Sequence, residues 1–77
     1  MNKTRRKELE SIISVLESQK ERIDFVAEAE QEARDNMPEN LDGSERAEKM
    51  EDCISTLEDA SSDIQDIIDR ILEVIEN

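Results

Sequence analysis

The side chains able to do chemistry in this chain are nearly all charged. Lys3, Arg5, Arg6 and Lys7 crowd cations ahead of the first acid, Glu8. Cations at a helix start oppose the macrodipole. Such a cluster holds an anion, a phosphate or an acidic partner, or it is clamped by acids brought from elsewhere. An antiparallel fold would bring Asp69, Glu73 and Glu76 beside it. A second group, Arg34, Arg46 and Lys49, flanks the chain's helix breakers. With Asn36 and Ser44, in an oligomer, these residues would line a small pocket for a phosphate or carboxylate. Local pairing is the competing reading, since Glu45, Glu48 and Asp52 lie within helical reach of Arg46 and Lys49. Glu28, Glu32, Asp35, Glu51, Glu58, Asp59, Asp63 and Asp66 would lie along a rod, as a solvated face or an imitation of DNA phosphates. DNA carries a charge every ~1.7 Å of axis, so a single rod is the sparser of the two unless it is doubled.

Other chemistries lack their parts. The chain has no His, so the commonest general base and metal ligand is missing. The Glu-x-x-His pattern of di-iron bundles cannot occur. Gly43 is the single glycine, which leaves no phosphate-cradling loop, and Asp42-Gly43 lacks the ligand spacing of a calcium loop. Cys53 stands alone; it has no internal disulfide partner and no His to activate it. It reads as a small packing residue. No enzyme, no metal and no cofactor are expected.

The formal net charge is −12 in 77 residues. Beyond the N-terminal cluster, all 22 acids face only Lys20, Arg22, Arg34, Arg46, Lys49 and Arg70. A field of that sign repels bare nucleic acid and anionic lipid, and suits solubility or contact with a basic protein. No run approaches the ~20 apolar residues of a membrane span. Met1 to Glu10 has charge without a hydrophobic region behind it, unlike a signal peptide. A cytoplasmic location is expected, to which a lone thiol also conforms.

Two helices must position these groups. Charged residues make up 42% of the chain and hydrophobic ones 35%, with few breakers, a mix typical of long helices. The pattern predicts one domain over 1–77: a helix over 4–37 capped by Thr4, an elbow over 38–43, and a helix over 44–76 capped by Ser44 or Asp42. Asp42 and Glu45 have the spacing of a capping box, and Leu41 is expected to fold over the bundle end beside Met37 and Met50. The first helix carries Leu9, Leu16, Ile23 and Met37 on a seven-residue repeat with Glu30 as the exception, and Ile12, Val26 and Ala33 as the expected second row with Gln19 as its exception. The second helix carries Met50, Leu57, Ile64 and Ile71, flanked by Ala47, Ile54, Ile68 and Ile75. A further row, Cys53, Ala60, Ile67 and Val74, lies on the other flank. A short elbow makes the helices antiparallel neighbours, with paired numbers summing to roughly 80. Gln19 then falls beside Ser61 and Ser62 in a polar layer that fixes register.

Three adjacent apolar rows are more than one neighbouring helix covers. Leu57, Ile64, Ile67, Ile68, Ile71, Leu72, Val74 and Ile75 are the expected oligomer interface. A two-helix hairpin has no enclosed core, and its burial barely offsets the entropy of ordering. The expected fold is therefore all-α, an antiparallel coiled-coil-like hairpin that dimerises with C2 symmetry into a four-helix bundle.

The start Met1-Asn2-Lys3-Thr4-Arg5-Arg6-Lys7-Glu8-Leu9, the elbow Asn36-Met37-Pro38-Glu39-Asn40-Leu41 and the run Ser44-Glu45-Arg46-Ala47-Glu48-Lys49-Met50-Glu51 resemble those of small acidic helical-hairpin proteins from phages and prophages of Gram-positive (Firmicutes) bacteria. The resemblance spans nearly the whole chain and implies a phage accessory protein. It assigns no role to any residue. The function expected with it is a non-catalytic, oligomeric binding or inhibitor module that blunts host defence. The alternatives are an oligomeric sponge for a small anionic nucleotide signal and an acidic DNA mimic.

Overall fold

The computed structural model describes Met1 through Asn77 as two helices without a strand. Helix α1 spans Lys3–Asp35 and helix α2 spans Glu45–Glu76. They run antiparallel, side by side, in a rod of 60 × 15 × 12 Å. A short 3-10 turn, Glu39–Leu41, sits in the elbow between them.

The first cap differs from the sequence expectation. Asn2, extended at φ −78° and ψ 167°, accepts the Arg5 N–H through its side chain at 2.9 Å. An N-cap must itself be non-helical, and with Asn2 in that role Thr4 joins the helix. Ser44 caps α2, its hydroxyl oxygen accepting from the Ala47 N–H at 3.2 Å. Asp42 does not cap α2: its N–H closes the 3-10 turn by donating to the Glu39 carbonyl oxygen at 3.1 Å, and its carboxylate pairs with Arg34 at 2.5 Å. Gly43 turns the chain into α2 at φ 80°, the left-handed region that disfavours any side chain. Leu41 stays exposed instead of closing the end, while Met37 and Met50 are half-buried.

The seam on α2 lies where the spacing placed it. The seam on α1 does not. Its half-buried and buried residues, Asp24 apart, are Arg6, Leu9, Ile13, Leu16, Lys20, Ile23, Ala27, Glu30, Arg34 and Met37, in alternating steps of three and four. The second row is therefore Ile13, Lys20, Ala27 and Arg34; Ile12, Val26 and Ala33 are exposed. The physical reason is the fate of the two cations. Their apolar stems lie over the seam and their heads leave on the acidic side. Lys20 reaches Asp24 at 3.3 Å, and Arg34 reaches Asp42 at 2.5 Å and Glu51 at 2.9 Å.

A polar layer exists near the expected level with different members. Gln19 is exposed and accepts from Arg22 at 3.2 Å. The layer consists of Lys20, Asp24 and Ser61: the buried Ser61 hydroxyl donates to the Asp24 carboxylate across the seam. That bond is the main reason the Asp24 carboxyl sits below its ordinary value; partial desolvation opposes it and Lys20 adds to it. Cross-seam bonds join Asp24 to Ser61, Arg34 to Glu51 and Arg6 to Asn77. These numbers sum to slightly more than 80. Side chains on both helices tilt toward their own N-termini, so contacting residues are numbered a little above the backbone level they share.

Candidate interaction face

With the seam fixed, every residue takes a heptad position, and the two helices can be read as one surface. Call the row of Ile13, Ala27, Ala47, Ile54, Ser61 and Ile68 row a, and the row of Leu9, Leu16, Ile23, Leu57, Ile64 and Ile71 row d. In an antiparallel pair, row g of one helix lies beside row g of the other, and row e beside row e. The hairpin thus has two broad sides: g with c, and e with b.

Burial is unequal across the seam. All six buried residues of the molecule, Ile13, Ala27, Ala47, Ile54, Ser61 and Ile68, belong to row a, on the e side. Every member of row d, on the g side, is only half-buried. Beyond row d the g and c rows expose more apolar surface: Ile12, Val15 and Val26 from α1, Cys53, Ile67 and Val74 from α2. Val15 is 58% and Val26 54% exposed. This continuous apolar strip carries the open row d with it. Patches of that kind on a small protein mark contact surfaces.

Charge is segregated in the same sense. On the g and c rows the acids are Glu8 and Asp63, against Arg5, Arg22, Arg46, Lys49 and Arg70. The e and b rows carry Glu10, Glu17, Glu21, Asp24, Glu28, Asp35, Glu48, Glu51, Glu58, Asp69 and Glu76 against Lys3 and Lys7. The outer flank of α2 is acidic at each heptad: Glu45, Asp52, Asp59, Asp66 and Glu73. A strongly acidic chain has thus kept one side apolar and net positive.

The expected interface residues divide accordingly. Ile67 and Val74 lie on the open side, Leu57, Ile64 and Ile71 are half-buried beneath it, and Ile75 continues row a on the e side, half-buried. Ile68, at 2% exposure, is already enclosed by the hairpin itself. Leu72 is on row e and opens toward the acidic side. The α1 contribution, Ile12, Val15 and Val26, is not legible as an outward surface from apolar spacing alone, because that spacing assigns Ile12 and Val26 to the seam. The unbroken alternation from Leu9 through Ile13, Leu16, Lys20, Ile23 and Ala27, matching that of α2, was the signal.

The cations do not form the sites that their spacing suggested. Lys3, Arg5, Arg6 and Lys7 make no ion pair with Asp69, Glu73 or Glu76; Arg6 instead donates to the Asn77 main-chain oxygen at 3.1 Å. The last carbonyls of a helix have no partner within it, and the end of α2 offers one of these to the cation. Arg34 is committed to Asp42 and Glu51, which hold its guanidinium firmly charged, Asp42 foremost. Arg46 and Lys49 sit apart from it, in a shallow groove with Glu30, Met50 and Cys53, and Lys49 pairs with Glu45 at 3.4 Å. A second groove, over Ile23, Val26 and Leu57, is bordered by Arg22 and Phe25. Cys53 is an exposed free thiol, not a packed one. No helix is long and apolar enough to cross a membrane.

The chain matches no protein-family model, no curated protein and no solved structure.

Proposed function

We propose that this protein is a non-catalytic interaction module that self-associates through its g and c side and presents acid outward to a basic protein partner. The observation that carries it is the one-sided exposure: row a is enclosed, row d is open, and the exposed isoleucines and valines adjoin row d. A second helical layer on that side would bury both. Stacking two hairpins yields a four-helix bundle with e and b rows on both outer surfaces. Such a body has nearly all its carboxylates facing water, where they steer a basic surface toward it. With the resemblance to phage proteins, this supports a cytoplasmic accessory protein that blocks a host factor, as in countering defence.

Two narrower readings have particular support. The acidic rows on both outer faces double the charge per length of a single hairpin, which favours an imitation of DNA. Arg46 and Lys49, on the apolar side, favour capture of a small anion such as a nucleotide signal. Competition for a DNA-binding protein tests the first, and calorimetry against a nucleotide panel tests the second.

The primary reading is tested by the mass in solution of wild type and Ile67→Glu. The wild type is expected as two copies and Ile67→Glu as one. A variant that keeps the wild-type mass removes this side as the interface.

A further inference from the structure

Resting on that reading, we infer the occupant and its direction: a second copy of this chain, stacked on the g and c side with the two elbows at the same end and the two-fold axis along the rod. Charge decides it. In this arrangement α1 of one copy lies over α2 of the other at equal height. The c rows of the facing helices then flank the interface, as e and g rows flank a coiled coil. Helix ends Asp35 and Glu45 mark equal heights within one hairpin. By that scale Glu8 faces Arg70 of the second copy and Arg22 comes within side-chain reach of its Asp63. Each pair joins opposite signs and occurs twice by symmetry.

The reversed stacking, with elbows at opposite ends, lays α2 on α2 and α1 on α1. It sets Lys49 against Arg70 of the second copy and brings the two Arg22 residues together at the axis. Like charges so placed disfavour a complex. The apolar distribution agrees with the charges. Ile12, Val15, Ile67 and Val74 cluster at the end away from the elbow, whereas the elbow end of the same side offers Ala33, Arg46 and Lys49. Elbow-to-elbow stacking sets Ile12 at the height of Ile67 of the second copy and Val26 at that of its Cys53. The reversed form sets Ile67 at the height of Cys53 of the second copy, Val74 at that of its Arg46 and Ile12 at that of its Val26.

The experiment is a distance measurement between spin labels at the elbow, on Asn40→Cys in a Cys53→Ser background, with the mass measured on the same sample. A two-copy mass with labels within roughly 30 Å, the helix-layer spacing plus two label arms, is expected. A two-copy mass with labels near the 60 Å length of the rod overturns the direction and leaves self-association standing. A single-copy mass overturns the underlying reading as well. An independent arm is the charge swap. Glu8→Arg is expected to raise the dimer dissociation constant about tenfold and Glu8→Arg with Arg70→Glu to restore it; no restoration overturns the pairing.

Discussion

Asp24 shows how one residue serves both the register and the pH response of the hairpin. It binds Lys20 in its own helix and the buried Ser61 of the other. Slipping the helices by one residue would leave the Ser61 hydroxyl facing apolar neighbours, at the cost of an unmatched buried polar group. The carboxyl is held below the ordinary 3.8 of an aspartate. A depressed folded-state value means that its contribution is fully present above the unfolded value and fades as pH falls through the lower folded one. Ser61→Ala is therefore expected to lower the melting midpoint by a few degrees at pH 7. The gap from wild type should narrow below pH ~3.8. Thermal unfolding by circular dichroism at several pH values checks this; a gap that widens in acid contradicts it. Sequence reasoning found the level of this layer from Ser61. It chose the wrong α1 residue because Gln19 and Lys20 are adjacent and only the seam's true position separates them.

At the scale of the helices, neighbouring residues have opposite fates. Ile68 is enclosed by the hairpin and Ile67 points out of it. Ile68→Ala is expected to cost about 2–5 kcal/mol of stability, the usual range for truncating a buried isoleucine, at every protein concentration. Phe25 is 72% exposed on the outermost row of α1, at the border of the groove over Ile23, Val26 and Leu57. Phe25→Ser should leave the stability of the hairpin within about 0.5 kcal/mol of wild type. Gly43→Ala should destabilise by about 1 kcal/mol, since its φ of 80° disfavours a Cβ. Denaturant unfolding reads all three. The elbow, the start of α2 and the α2 seam were legible because Pro38, Gly43 and Ser44 punctuate the chain and α2 has strong apolar rows; the ends of α1, at Lys3 and Asp35, each fall one or two residues from the expected positions. The α1 seam was not legible. Its true row contains Lys20 and Arg34, which count against burial by type, while the false row offered Ile12, Val26 and Ala33. Only the acids across the hairpin make the charged row acceptable, and that is tertiary information.

For the whole molecule, two kinds of segregation coincide. The side that leaves apolar residues open is also the side from which acids are withdrawn. Solubility alone would favour the reverse, carboxylates beside exposed isoleucine and valine. Keeping such a strip poor in acid makes sense if another surface covers it, because a buried unpaired carboxylate is costly. The sequence revealed a surplus of apolar rows on α2 but not that α1 contributes its own, nor that the two g rows merge into one face. Both follow from the α1 seam. The most direct measurement is sedimentation equilibrium of the unmodified chain over a wide concentration range. It should give twice the 8.9 kDa chain mass at micromolar concentration and above. A well-folded species that stays at the single-chain mass even at millimolar concentration would contradict it.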